Sequence, residues 1–486
     1  VEAGADGVEV HAAHGYLLNR FLSPHYNART GTYGGDADGR WDVLRKILQH
    51  IRRAIGTDAI LGVRVPAWEE VDGGLTVADV ATGLAGCAAW LSYINISIGN
   101  HDGLAAGRPV LAYTTPWLVS RPSLSAAASV IRESAGLPVV VTGGVVTARD
   151  VATLLAEGAD LVGIARAAIA DAEFARKVLA GHGDAITACI GCNECTLVPF
   201  SCPVNPAAGR EAEMAVRRRP DATRRSLAVV GGGPAGLAAG LAAAARGHHV
   251  TILEREDALG GQLADLVRDP ARRRWTDWLQ RLRAEAGNAL DVKLGSEVHR
   301  IDDLDADAVV VAVGAIASAP GFDDDGSVPL LSSTDVLRGA RPIGPVLVVG
   351  GTEPHLDPLL TARLLAAEGL DVYLVSQLVT VAPTLEQRTL NHLLRTLAEF
   401  GVVIRPSTRV TGVHGATARV ENLLSGRTDE LQIGGIVLAQ SRLPDPVASR
   451  WQLSSAERPV YLVGDALAPR RLTHAVLEGA RFGASV

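Results

Sequence analysis

The chain has 486 residues, 48% of them apolar and 20% charged, with a formal net charge of −7 and a pI near 6.0. That length accommodates about three domains, and the composition is that of a folded chain able to bury large cores. The mildly acidic balance offers nucleic acid no basic surface, and no uncharged apolar run approaches a membrane span, so neither partner is expected.

Four of the five cysteines fall within residues 189–202, which leaves no disulfide framework and suits a reducing, cytoplasmic setting. The chain opens on Val1 and runs at once through Gly7-Val8-Glu9-Val10-His11, so it reads as beginning inside a domain. Residues 1–180 alternate short β-branched runs with amphipathic segments. Strands are predicted at 8–11, 60–65, 93–97, 139–142 and 161–164. A helix is predicted over 41–55, where Leu44, Ile47, Leu48, Ile51 and Ile55 share one face. Repeated βα units predict a parallel sheet, most simply a (β/α)8 barrel. Five strands are legible where closure needs eight, so three further βα units are expected to precede Val1.

Alternation along the first strand places Val8 and Val10 under the helices and Glu9 and His11 inside the barrel. His11 falls at the carboxyl end, where barrel enzymes keep their chemistry, and His14 and Tyr16 follow it. Taken alone, an His-x-x-His is as readily a structural pair as a functional one. Arg64 also faces inward and needs an anion or an electron-rich partner. Gly143-Gly144 and Ala165-Arg166 end the last two strands, the usual place of a phosphate pocket.

Residues 181–225 carry Cys189, Cys192, Cys195 and Cys202-Pro203. Closely spaced thiolates that each reach a different corner suit a [4Fe–4S] cluster better than a tetrahedral zinc ion. Zinc and unligated thiols remain the alternatives. The arginines between 217 and 225 read as a solvated joint.

From residue 226 the pattern restarts as strand, Gly231-Gly232-Gly233-Pro234-Ala235-Gly236, helix, strand 249–253 and Glu254. Gly231 makes the tight turn, Gly233 admits a pyrophosphate, Gly236 lets the helix lie on the strand, and Glu254 is placed for ribose hydroxyls. Dinucleotide or ADP binding follows. A second unit begins near Pro345, but its loop reads Gly350-Gly351-Thr352-Glu353-Pro354-His355. Side chains replace the glycines, Pro354 removes an amide donor and Glu353 adds negative charge, so this lobe is expected to keep the fold and to have lost NAD(P).

Two resemblances extend this reading. Gly260-Gly261-Gln262, the run 309–314 and Gly464-Asp465 resemble the companion motifs of two-dinucleotide-domain flavoprotein reductases. They imply a discontinuous FAD- or ADP-binding domain, 226–338 plus 456–486, with a degenerate nucleotide domain inserted at 339–455. Gln262, Gly464 and Asp465 would be among its ligand contacts.

The barrel text resembles the old yellow enzyme family of FMN barrels. It is carried by His11-x-x-His14-Gly-Tyr16, Phe21-Leu22-Ser23-Pro24, Asn27-x-Arg29-Thr30-x-x-Tyr33-Gly34-Gly35, Arg40 and Gly62-Val63-Arg64. With the cysteines and the following domains, the chain resembles the 2,4-dienoyl-CoA reductase and trimethylamine dehydrogenase subgroup. That resemblance implies that His11 and His14 bind a substrate carbonyl, that Tyr16 lies near the proton-transfer site, and that His101 belongs to the substrate site. It further implies Arg64 beside the flavin pyrimidine, and Gly143, Gly144, Ala165 and Arg166 at the FMN phosphate. The two-residue gaps between the first three cysteines, the broken second fingerprint and Gly464-Asp465-Ala466-x-Ala468-Pro469-Arg470 look like the amine-dehydrogenase branch.

The function expected is therefore an FMN- and [4Fe–4S]-dependent oxidoreductase acting on a small molecule. It would exchange hydride at the barrel flavin, relay electrons through the cluster to an electron-transfer flavoprotein, and assemble as a homo-oligomer. An NAD(P)H-dependent 2,4-dienoyl-CoA or enoate reductase is the second reading, favoured by the histidine pair. A non-catalytic nucleotide-binding remnant is the third.

Overall fold

The computed structural model describes residues 3–99, 116–118, 123–217, 223–454 and 458–486. The chain divides into two compact units, Val1–Gly191 and Cys192–Val486.

In the first unit the strands are β1 (Gly7–His11), β2 (Ile60–Pro66), β3 (Tyr93–Ser97), β4 (Val139–Thr142) and β5 (Leu161–Gly163). They pair in that order and all in parallel. Between them run α1 (Leu17–Leu22), α2 (Ala37–Ile55), α3 (Val77–Ala85), α4 (Ser125–Ala135) and α5 (Ala148–Ala156). This is the succession of βα units that builds a (β/α)8 barrel. Helix α2 begins at Ala37, earlier than its apolar periodicity announces, because the Asp36 side chain caps it by accepting from Gly39 N–H. Thr76 with Asp79 and Thr147 with Asp150 form reciprocal capping boxes at the starts of α3 and α5.

Leu61, Val63, Val65, Ile94, Ile96, Val139 and Val141 are fully buried and pack with Trp41, Leu44, Leu48, Val80, Leu84 and Ile131 of the helices. The Trp41 ring lies so close on α3 that a Cβ at Gly83 would stand 2.0 Å from its Cε2. The alternate residues face the other side of the sheet: Glu9, His11, Arg64, Tyr93, Asn95 and Thr142. Val8 is 40% exposed, while Val10, on the same face, packs against the helix-side core.

The second unit contains two parallel five-stranded sheets. One runs Val460–Leu462, Ala308–Val311, Ser226–Val230, His249–Leu253, Asp291–Lys293. The other runs Leu330–Ser332, Gly435–Leu438, Val346–Gly351, Val372–Ser376, Val403–Arg405. The late strand Val460–Leu462 thus joins the first sheet, while Leu330–Ser332 joins the second. The second lobe therefore draws on residues before 339, because its edge position is filled by a strand that precedes the boundary read from the sequence.

Helix Pro234–Ala245 is held between the strand before it and the closing helix Leu472–Gly483. A Cβ at Gly479 would stand 2.1 Å from Ala235 O, and one at Gly483 would stand 2.1 Å from Ala239 O. The helices meet backbone to backbone. Gly479→Ala is expected to lower unfolding free energy by roughly 1–3 kcal/mol through overpacking, read as a lower urea midpoint at unchanged slope.

Candidate functional site

The first unit gathers its polar side chains at the carboxyl end of β1. His14 follows that strand at φ +64, a left-handed conformation that turns the chain back, and its Nε2 lies 2.8 Å from Ser97 Oγ. The ring centroids of His11 and His14 are 5.1 Å apart, and those of His11 and Tyr16 are 5.5 Å apart. His14 is buried, whereas His11 and Tyr16 are exposed. Partial desolvation against the neighbouring protein holds the His11 imidazole below its ordinary pKa although the residue is exposed, the Arg64 guanidinium adds to this, and Glu9 opposes it. In register, His11 stands opposite Arg64 and Arg64 opposite Asn95. Arg64 Nε is buried with no hydrogen-bond partner among the described residues, so the guanidinium is available to an acceptor placed beside it.

Two hydrogen-bond networks support this corner. Glu9 Oε2 accepts from Tyr93 Oη and from Asn95 Nδ2, each at 2.9 Å, and Asn95 Oδ1 accepts from Thr142 Oγ1 at 2.8 Å. The Tyr93 ring crosses β2 at Gly62, where a Cβ would stand 2.2 Å from Cζ, so only glycine permits the link from β3 to β1. Burial and the Glu9 hydrogen bond push the Tyr93 phenol up to about 12. Below His14, Gly15 N–H donates to Asn19 Oδ1 at 2.6 Å, and Asn19 Nδ2 donates to Glu69 Oε1 at 3.0 Å. Ser23 Oγ and Leu75 N–H both donate to Glu69 Oε2. Asn27, which opens the next stretch of motif text, donates to Phe21 O and Tyr33 O. Much of the motif-rich text of residues 19–35 therefore builds the loop that carries the histidines.

Gly143 and Gly144 follow β4 at φ +123 and +79, conformations that favour glycine. Ala165 is the N-cap residue of the short helix Arg166–Ala170, so Arg166 opens it at the end of β5. His101 lies outside the described residues.

The cysteine segment spans the boundary of the two units. Cys189 belongs to the first, and Cys192, Cys195 and Cys202 to the second. None forms a disulfide. Gly191, at φ +73, donates its N–H to Cys189 Sγ at 3.4 Å, and Asn193 at φ +60 turns the chain between Cys192 and Cys195. Thiolates are the donor type of an iron–sulfur cluster, and one of these sulfurs, Cys189 Sγ, already accepts an amide hydrogen bond. Among the described residues no three His, Cys, Asp or Glu side chains converge to hold a metal ion.

In the second unit a cavity of about 1640 Å³ runs along the glycine loop and on to the inserted lobe. Each glycine of the loop has its own reason. Gly231, at φ +106, would put a Cβ 2.4 Å from Ala312 O, and a Cβ at Gly236 would stand 2.0 Å from Gly231 O. A Cβ at Gly233 would meet nothing nearer than 4.0 Å, and Gly233 lines the cavity, so that space is left for a ligand. Helix Pro234–Ala245 begins there without a side-chain cap, its amide groups left to an anion. Glu254 is buried. Its Oε2 accepts from Gly232 N–H at 2.7 Å and its Oε1 from Glu256 N–H at 3.0 Å, which fixes the carboxylate at the loop with lone pairs to spare for hydroxyls. Gln262 Nε2 donates to Asp465 Oδ2 at 2.9 Å, and burial raises the Asp465 pKa. These residues fit a nucleotide with a diphosphate.

The second loop is built differently. Its helix, Asp357–Ala367, starts seven residues after Gly350, whereas helix Pro234–Ala245 starts three residues after Gly231. Asp357 opens the helix with a negative charge. Burial, then Asp357, raises the Glu353 pKa, and burial lowers the His355 imidazole to about 4. Both side chains line the cavity.

Residues 1–184 match the NADH:flavin oxidoreductase / NADH oxidase family, and residues 225–479 match pyridine nucleotide-disulphide oxidoreductase. A metal reductase from Desulforamulus reducens is 30% identical over 524 residues, which cover 98% of this chain and 75% of the relative. An NADH oxidase from Thermoanaerobacter brockii is 29% identical, covering 98% and 74%. The chain belongs to the NADH:flavin oxidoreductase / NADH oxidase family. It is accordingly a flavin-dependent oxidoreductase. A solved 2-naphthoyl-CoA reductase superposes over 100% of this chain and 74% of its own, with a TM-score of 0.88 at 25% identity. The two family matches correspond to a barrel-type part followed by a Rossmann-like part, as the sequence led us to expect. Among the described residues no helix is long and apolar enough to cross a membrane.

The His11 field gives a direct check. Followed by NMR, the wild-type imidazole should titrate below 6.5. Arg64→Met should raise that midpoint by removing a cation, and Glu9→Gln should lower it by removing an anion.

Proposed function

We propose that this family member is an FMN- and [4Fe–4S]-dependent dehydrogenase of the amine-dehydrogenase type, which passes its electrons to a protein acceptor such as an electron-transfer flavoprotein. A flavin held at the β1–β5 strand ends would supply hydride exchange with a small substrate and single-electron exchange with the cluster. Arg64 would hold the electron-rich edge of that flavin, with Gly143, Gly144, Ala165 and Arg166 at its phosphate. His11, whose charge partial desolvation and Arg64 disfavour, serves as a hydrogen-bond donor or acceptor toward substrate. His14 is oriented for the same purpose by Ser97, and Tyr16, whose ring centroid lies 5.5 Å from that of His11, would be the phenol near the proton-transfer site. His101 is retained as a substrate-site residue on the strength of the motif alone. Cys189, Cys192, Cys195 and Cys202 would ligate the cluster. Gly231, Gly233, Gly236, Glu254, Gln262, Gly464 and Asp465 would hold FAD or ADP. The domains proposed are those read from the sequence, with Leu330–Ser332 counted in the inserted lobe.

One observation carries the choice of electron acceptor. The inserted lobe places Glu353, His355 and Asp357 at the loop and helix start where a nicotinamide dinucleotide needs glycine, open amides and no negative charge. The paired histidines favour a second reading, an NAD(P)H-dependent enoate reductase, since two donors at one point suit a carbonyl that gains negative charge.

Anaerobic stopped-flow distinguishes the two. NADPH or NADH should leave the flavin oxidised on the time scale of turnover, while a secondary or tertiary amine bleaches it; rapid bleaching by NADPH alone would favour the reductase. Iron analysis tests the cluster. Wild-type protein prepared without oxygen should carry about four irons per chain, and Cys192→Ala should lose most of them.

A further inference from the structure

Glu194 belongs to none of the motifs, yet it sits in the 3-10 turn Glu194–Thr196 between Cys192 and Cys195 and is buried. Arg471 Nη1 lies 3.0 Å from its Oε2, with the two side chains only 10% and 17% exposed. A carboxylate so enclosed is tolerable only with such a partner, and removing either member of a buried pair is costly. Arg471 is also the N-cap residue of helix Leu472–Gly483, the helix whose Gly479 and Gly483 clamp the nucleotide-loop helix. It lines the cavity together with Gly233, Gln262 and Asp465, and its charge helps depress the pKa of His355 and His474 there.

The neighbouring residue is gripped from the other lobe. Asn193 Nδ2 donates to Glu386 Oε2 at 3.3 Å. Glu386 caps helix Gln387–Glu399 through Arg388 and Thr389 N–H and pairs with Arg388, while the adjoining Thr384 and Leu385 line the same cavity. The turn between Cys192 and Cys195 is thus anchored on one side to the closing helix and on the other to the inserted lobe. Each anchor is continuous with a wall of the nucleotide cavity.

We infer that Glu194 and Arg471 are positioning residues that couple occupancy of this cavity by an adenine nucleotide to the geometry of the Cys192–Cys195 turn. The inference rests on the nucleotide reading of the cavity given above. A diphosphate entering the cavity adds negative charge on the Arg471 side and packs its walls, which shifts the ion pair and, through it, the turn. By linkage the reverse holds: the state of the cysteines alters nucleotide affinity by the same factor.

The test uses the full chain with ADP as the probe, and ADP binding is measured separately by calorimetry. In cluster-free protein, saturating ADP should change the iodoacetamide alkylation rates of Cys192 and Cys195 by about fivefold or more, the lower range of measured site–site couplings. Glu194→Gln keeps the size and hydrogen-bonding capacity of the side chain but removes the ion pair; it should still bind ADP and lose the ADP effect on alkylation. Arg471→Lys, which keeps the charge, should retain it. In cluster-loaded wild type, ADP should shift the EPR signal of the reduced centre, and in Glu194→Gln it should not. Wild type that binds ADP with unchanged alkylation, or a Glu194→Gln protein with the full wild-type response, overturns the coupling. Failure of wild type to bind ADP would overturn the nucleotide reading itself, and the calorimetry makes the two failures distinct.

Discussion

The architecture of the second unit depends on backbone-to-backbone contact around helix Pro234–Ala245. On one side Gly236 lies against Gly231 O, and on the other Gly479 and Gly483 lie against Ala235 O and Ala239 O. A methyl group at any of these positions would overlap a carbonyl oxygen. Gly464, at φ +65 and within 2.5 Å of Ala235 Cβ by the same construction, closes the arrangement. This sandwich has a direct consequence for chemistry. The phosphate loop, Asp465 and Arg471 are fixed relative to one another by main chain, so little positional freedom remains where a charged ligand is to be held.

The first unit solves the same problem with side chains. Its helices are packed on one face of the sheet by aliphatic residues, and the opposite face is held by hydrogen bonds between strands. Glu9, Tyr93, Asn95 and Thr142 span β1, β3 and β4 beneath His11 and Arg64. The strand ends are thereby ordered before any ligand arrives, which is what differential binding of a transition state requires. His14 shows the cost of this placement: a non-glycine residue at φ +64 is retained because the turn brings its ring to Ser97 and beside His11.

The two nucleotide lobes share a fold and differ in chemistry. In the first, a short glycine turn leads straight into an uncapped helix, and the Glu254 carboxylate is tied down by backbone amides. In the second, a longer loop separates strand from helix and places acidic side chains where the first has open amides. A function argued from the fold alone would count two nucleotide sites. The residues at the loop differ between the two lobes, and Thr352, Glu353 and His355 of the second line the same cavity as the first.

Local signals were legible in the amino-acid order. The five barrel-type strands fall within a residue or two of the β-branched runs that announce them, because a buried parallel strand needs little beyond continuous apolar spacing. The glycine fingerprint was equally readable, since tight turns and close helix–strand approach constrain residue type at fixed intervals. So was the loss of that pattern in the second lobe. Tertiary structure alone decided the rest. Tyr93 reaches Glu9 across 84 positions, and Glu194 meets Arg471 from the far end of the chain. Strand Leu330–Ser332 joins a sheet other than the one its position suggested. Such pairings depend on which chain segments fold against one another. Periodicity and spacing report only a residue's own neighbourhood, so they carry no record of a partner brought close by the fold.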